Sequence, residues 1–234
     1  RKLIMRCGET DIRTNEYSKK YSDELFFRKM IDKDEPLILD IGAHVGESVE
    51  FFKHVFPKCK IHSFEPFLES YKELCKLQYS EFIPINKAVS SKSGEKELFV
   101  YNIPHLNSLN RINIDSKDSI HYAKEVTEKK VQVKTITLDD YIDENNINKI
   151  DIIKIDVQGS EADVLIGGRS KCLKVTKLVT LEISLFDFYE KKSSFSTIES
   201  LLPGYDLYSI IRLSQNPMNF RTDWCETIYI NRAI

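Results

Sequence analysis

At 234 residues, with 41% apolar and 11% aromatic side chains, the chain has enough apolar material to bury one α/β core, which excludes wholesale disorder. Lys and Arg number 34 against 36 Asp and Glu, a formal net charge of -2, and that balance excludes non-specific nucleic-acid binding as the main role. The five cysteines (Cys7, Cys59, Cys75, Cys172 and Cys225) form no C-x-x-C pair, which argues against a disulfide framework or zinc centre and for a reducing compartment.

Residues 1–35 read as a lead-in: Arg1–Asn15 is polar and aperiodic, and Tyr17–Ile31 carries a helical stripe of Tyr21, Leu25, Phe26 and Met30. Leu37–Leu39 is a short apolar run closed by Asp40, as expected of a strand buried on both faces. Gly42 and Gly46 bracket a turn into a helix with Val49, Phe52 and Phe56 on one side, stopped by Pro57. Ile61–Phe64 is the next strand, with Glu65 at its end and Pro66 opening a helix whose apolar face is Leu68, Tyr71, Leu74 and Cys75. Phe82–Ile85 is a third strand, ending near Asn86 and Ala88.

Residues 89–135 have a different texture and read as an insertion. Val89–Gly94 leads into Glu97–Tyr101 as a hairpin turning at Ser93-Gly94, and Asn102–Glu128 is a polar loop holding Asn107-Ser108-Leu109. The lysines Lys124, Lys129, Lys130 and Lys134 read as a solvated loop rather than a basic patch. Val131, Val133 and Thr135 alternate as a strand, and Thr137 caps a helix with Asp140 reaching back. Ile150–Ile155 is a buried strand ended by Asp156. Gly159-Ser160 then turns into a helix opened by Glu161 and closed by Gly167-Gly168. Leu178–Ile183 is a strand carrying Glu182, Phe195–Leu202 a helix, and Tyr205–Ile211 and Thr227–Ile230 the last two strands. The pattern predicts an α/β fold, a doubly wound, mostly parallel sheet with an antiparallel edge, in one domain spanning 1–234. No apolar run reaches membrane-spanning length and no signal peptide is visible, so the expected location is cytoplasmic, for a chain that opens on Arg1 rather than Met.

Ligands of open α/β sheets bind outside the carboxyl ends of the strands, so the glycine turn, Asp40 and Glu65 converge on one crevice. A dinucleotide turn needs G-x-G-x-x-G to approach a pyrophosphate, but His44 and Val45 stand at the relevant spacing from Gly42. An NAD-dependent enzyme is therefore poorly supported. Asp40 and Glu65 instead suit a ligand with an ammonium group and a ribose but no phosphate, such as S-adenosylmethionine. The plainer alternative makes Asp40 a helix cap and Glu65 a solvated strand end.

Asp156 and Glu182 lie at or near the ends of strands expected to be neighbours. They admit two uses: a bridged divalent metal, or a general base for an acceptor hydroxyl or amine. The plainer reading ties Glu182 to backbone or to an arginine. His44 reads either as a cofactor contact or as a loop residue. His105 and His121 are too far apart in sequence to be paired, and Ser160 reads as a helix cap because it lacks the G-x-S-x-G frame.

DIGAHVGES at Asp40–Ser48 resembles the first motif of class I S-adenosylmethionine-dependent methyltransferases. FEPFLESYKEL (Phe64–Leu74), TLDDYI (Thr137–Ile142) and IKIDVQGSEADVLIGG (Ile153–Gly168) resemble the FkbM family more narrowly, as do Leu185–Ile210 and Glu226–Asn231. That resemblance implies a Rossmann-like sheet with a reversed last strand and methyl transfer to oxygen, on a sugar or another small molecule. It further implies that Asp40, Gly42, Ala43 and Gly46 cradle the methionine part, Glu65 holds the ribose hydroxyls, Asn86 and Ala88 lie by the adenine, and Asp156 faces the methyl group. The family turn has Asn most often where His44 stands here. With His44 and Pro66 these residues make the expected cofactor set, Asp156 and Glu182 the catalytic pair, and Asn107 and Ser108 the acceptor contacts, carried by the Asn102–Glu128 loop that is expected to cover the substrate. The opposing hypothesis is a non-catalytic S-adenosylmethionine-binding regulatory or scaffold module, which has less use for Asp156 and Glu182.

Overall fold

The computed structural model describes residues 16, 19–115, 127–191, 193–216 and 220–234. The stretch Arg1–Asn15 with Cys7, and Tyr17, His121 and Lys124, fall outside them. Ten strands and six α-helices of the described chain follow one another as α1 (Asp23–Met30), β1 (Leu37–Ile41), α2 (Glu47–Val55), β2 (Lys60–Phe64), α3 (Leu68–Leu74), β3 (Phe82–Ile85), β4 (Ala88–Val89), β5 (Gly94–Tyr101), β6 (Glu128–Ile136), α4 (Leu138–Glu144), β7 (Ile150–Ile155), α5 (Glu161–Gly168), β8 (Thr176–Ser184), α6 (Phe195–Leu201), β9 (Tyr205–Gln215) and β10 (Thr222–Asn231).

Seven strands form the main sheet in the order β3-β2-β1-β7-β8-β10-β9. Neighbours from β3 to β8 pair in parallel, while β10 runs antiparallel to both β8 and β9. The predicted fold class is observed, including the reversed last strand. Because side chains alternate along a strand, each buried strand feeds two cores. Leu39, Ile41, Ile153 and Leu181 pack on one face with Leu138, Val164 and Ile198. Ile38, Ile152, Leu178 and Ile228 pack on the other with Phe27, Val49 and Phe52. Phe27 anchors α1 on that second face, its ring centroid 5.4 Å from that of Phe52 and 5.8 Å from that of Phe51. Its burial contributes about 1.5–3 kcal/mol.

The insertion differs from expectation in its pairing. The strands on either side of Ser93-Gly94 do not pair with each other; β6 lies between them, parallel to β4 and antiparallel to β5. Ser93 serves the turn differently, donating to the Asp140 carboxylate and accepting from Thr137 N. Thr137 caps α4 as predicted, accepting from Asp140 N at 3.0 Å. Among the described residues no helix is long and apolar enough to cross a membrane. Cys59, Cys75, Cys172 and Cys225 are free thiols.

Candidate functional site

Four backbone contacts stitch the strand ends together. Gly42 N and Ala43 N both donate to Phe64 O at 3.0 Å, Asp156 N donates to Ile41 O at 2.9 Å, and Glu65 N donates to Ile85 O at 3.0 Å. Gly42 is left-handed at φ +82°, and a Cβ there would meet Asp156 O at 1.9 Å. Only glycine lets the first turn close onto the end of β7.

The cleft at this junction is lined by Gly42, Ala43, His44, Glu65, Pro66, Ala88 and Asp156. Asn107 and Ser108 also line it, from the loop after β5. Both side chains are engaged by the protein itself. Asn107 Oδ1 accepts from Tyr101 N at 2.9 Å, and Ser108 Oγ donates to Gln158 O at 2.6 Å. The described part of that loop also lines the cleft, where the His105 ring packs at a 49° tilt against His44 with centroids 4.5 Å apart. His44 holds a left-handed φ of +49°, and burial, followed by His105, lowers its imidazole pKa.

Three expected cofactor residues lie behind the cleft rather than on its wall. Asp40 is wholly buried; its Oδ2 accepts from Ser48 Oγ at 2.7 Å and Ser63 Oγ at 3.0 Å, and Lys154 Nζ stands 3.5 Å from Oδ1. Gly46 caps α2 and donates its N–H to Ala43 O at 2.8 Å. Asn86 Nδ2 donates to Glu65 O at 2.9 Å and Pro66 O at 3.1 Å, shaping the turn that presents Glu65.

Glu65 reaches across the cleft floor. Its Oε2 accepts from His44 N at 2.9 Å and its Oε1 from Phe67 N at 2.8 Å. Burial pushes the carboxyl up to about 7 against the pull of those two N–H groups. Each carboxylate oxygen has acceptor capacity beyond the one N–H it takes here.

Asp156 sits where this cleft meets a second one, and it lines both. Its Oδ1 accepts from Gln158 Nε2 at 2.8 Å, and Gln158 Oε1 accepts from Tyr189 OH at 3.2 Å. Glu182 does not line the first cleft. It stands between the second cleft, with Arg212 and Glu226, and a third hollow walled by Phe186, Phe188, Tyr189 and Trp224. Burial first, then Asp156, Glu161 and Glu226, push its carboxyl up to about 8. Among the described residues no group of three or more His, Cys, Asp or Glu side chains is disposed to hold a metal ion.

A model of the methyltransferase FkbM domain matches residues 40–207, the span that carries this crevice. The chain belongs to the FkbM methyltransferase family. Among its relatives, the 2-O-methyltransferase NoeI of Sinorhizobium fredii (strain NBRC 101917 / NGR234) is 28% identical over 193 residues, covering 76% of this chain and 75% of that one. Methyltransferase sdnD of Sordaria araneosa is 26% identical over 199 residues, covering 74% of each chain. A solved structure from Listeria monocytogenes, reported as a candidate S-adenosylmethionine-dependent methyltransferase, superposes with a TM-score of 0.50. It covers 88% of this chain and 95% of that one at 9% identity, a likeness of fold.

In this FkbM family member, Lys154, Gln158 and the aromatic wall around Trp224 were not legible as site residues. Lys154 had a signal: it stands two residues before Asp156 on a strand, hence on the same face. The packing of His105 against His44 had none, because the two rings lie 61 positions apart with two α-helices and four strands of the fold between them.

Proposed function

We propose that this methyltransferase moves the methyl group of S-adenosylmethionine to a hydroxyl of a small, uncharged, hydroxyl-rich acceptor such as a sugar. One observation carries the reading: Asp156 lines both the cleft floored by Glu65 and the adjoining cleft that reaches Glu182. A group so placed faces a donor on one side and an acceptor on the other.

When bound, S-adenosylmethionine supplies an electrophilic methyl on a sulfonium, and the electrons of the broken C–S bond stay with sulfur. Glu65 takes the ribose hydroxyls, and the turn Gly42–His44 carries the methionine part. Asp40 acts through that turn, since its carboxylate is enclosed by Ser48, Ser63 and Lys154. Asp156, oriented by Gln158, removes the acceptor proton as the O–C bond forms. Glu182 is the second acid within reach of the acceptor, in its protonated form near neutral pH.

The third hollow supports an uncharged acceptor. Phe186, Phe188, Tyr189 and Trp224 offer flat apolar faces, Glu182 and Asp223 offer hydrogen-bond acceptors, and no Lys or Arg lines it among the described residues. Radiolabelled methyl transfer from S-adenosylmethionine to a panel of neutral sugars, phenols and sugar phosphates tests this. Transfer to neutral hydroxyls, abolished in Asp156→Asn, is expected. Tight cofactor binding with no transfer to any panel member would favour the non-catalytic binding module.

A further inference from the structure

Lys154 is the cation on which the crevice converges. Its Nζ donates to Gly42 O at 3.1 Å, stands 3.5 Å from Asp40 Oδ1 and lies 3.6 Å from Asp156 Oδ2. Three acceptors therefore surround an ammonium that has three N–H bonds. Asp40 Oδ1 is buried and accepts no hydrogen bond among the described residues, so this ammonium is the positive charge that faces it.

The register explains why one lysine reaches all three. Lys154 lies directly opposite Asp40 in the β1–β7 pair and opposite Thr180 in the β7–β8 pair. Asp40 and Lys154 share the face of the sheet that carries Ile38 and Ile152, at the carboxyl end. Both the donor cleft and the second cleft include Lys154 in their walls.

We propose that Lys154 is a positioning residue: it locks the glycine turn that carries the donor to the carboxylate that serves the acceptor, so that the two halves of the site move as one. The inference rests on the methyl-transfer reading given above. It assigns no proton transfer to Lys154, because its ammonium is held between a main-chain oxygen and two carboxylates that keep it charged.

The electrostatics agree with that geometry. Burial pulls the Lys154 ammonium down, but Asp156, Asp40 and Glu226 outweigh it and leave the group above its ordinary value. Lys154 in turn opposes the rise at Glu65, Glu182 and Glu226 and lowers His44. These are the charged groups around it from β1, β2, β7, β8, β10 and the glycine turn. From β9, Arg212 faces Glu226 at 3.3 Å. With the ammonium gone, several carboxylates are left facing one another, and the cluster compensates by taking up a proton.

The test is calorimetric titration of wild type, Lys154→Met and Lys154→Arg with S-adenosylmethionine and with S-adenosylhomocysteine, at neutral pH in two buffers of different ionisation enthalpy. The expected result in Lys154→Met is affinity reduced about tenfold or more for both ligands. Binding of the cationic donor should also release a proton that wild type does not release, with Lys154→Arg restoring part of each effect. Wild-type affinity and wild-type proton release in Lys154→Met would overturn the inference. If Lys154→Met does not fold, the wild-type protein decides through nitrogen-15 NMR. A slowly exchanging lysine ammonium signal that is lost in Lys154→Arg supports the lock, and its absence overturns it. Failure of wild type to bind either ligand would instead strike at the methyl-transfer reading.

Discussion

The Glu65 carboxylate accepts the backbone N–H of His44 at 2.9 Å, tying the acid at the end of β2 to the turn that follows β1. Its other oxygen accepts from Phe67 N at 2.8 Å, so the same side chain also fixes the entry to α3. A group held this way is already oriented before a ligand arrives, which reduces the ordering cost of binding.

Replacement of Glu65 by Ala should weaken S-adenosylmethionine binding by about 1.5–3 kcal/mol, the value of hydrogen bonds to a charged group. The pH dependence has a definite sign. Burial raises the carboxyl from 4.5 to about 7, so it gains a proton as pH falls through about 7. The ionised form is the better acceptor for ribose hydroxyls, so wild-type affinity should decline below that point. Calorimetry on either side of neutrality checks this, and an affinity independent of pH would remove Glu65 from the ribose subsite.

Glu182 makes a prediction about stability. Its carboxyl is raised from 4.5 to about 8, so between those values the folded chain holds a proton that the unfolded chain has lost. Stability therefore falls as pH rises through that window. Glu182→Gln, which mimics the protonated form, should flatten that decline and raise stability at pH about 8 by about 2 kcal/mol. Denaturant unfolding of both proteins at each end of the window reads the difference. An unchanged slope would mean that Glu182 is well solvated.

Asp139 carries a different kind of load. Its carboxylate accepts three backbone N–H groups at the end of α5 and in the turn before β8: Ser170 at 2.9 Å, Lys171 at 3.0 Å and Cys172 at 2.7 Å. The TLDDYI stretch therefore holds the scaffold rather than the ligand. Asp139→Ala should cost at least about 1.5–3 kcal/mol in urea unfolding and leave S-adenosylmethionine affinity in the surviving folded protein unchanged. A variant that binds the donor poorly while folding normally would overturn this scaffold role for Asp139.

Local signals in the sequence served well where structure depends on near neighbours. The apolar run before Asp40 gave β1, Pro57 closed α2, and the threonine before Leu138 gave the cap of α4. Strand ends located Asp40, Glu65 and Asp156 together because a parallel sheet collects its carboxyl ends on one edge. Burial at those ends was not legible. Asp40 and Glu65 look alike as acids after apolar runs, but register places Asp40 within the strand pairing opposite Ser63 and Lys154, whereas Glu65 lies one residue beyond β2. The pairing of β6 between β4 and β5 was likewise hidden, since its partners are separated by a long loop and turn chemistry alone suggested a local hairpin.

Gly42 gives the sharpest structural prediction. An alanine there must adopt a left-handed backbone, worth about 1–2 kcal/mol, and its Cβ would fall 1.9 Å from Asp156 O, a main-chain atom that no rotamer change can move. Relief requires the first turn and the end of β7 to separate, which breaks the 2.9 Å bond from Asp156 N to Ile41 O. That motion pulls the donor side of the crevice away from Asp156 itself. Gly42→Ala should therefore lose about 2–4 kcal/mol of stability and its S-adenosylmethionine binding together. Gly204→Ala is the matched control: nothing lies within 4 Å of its added Cβ, so stability should stay within about 0.5 kcal/mol and donor binding should persist. If Gly42→Ala unfolds at the wild-type denaturant midpoint and binds donor normally, the turn and the end of β7 are not in the tight contact on which the crevice depends.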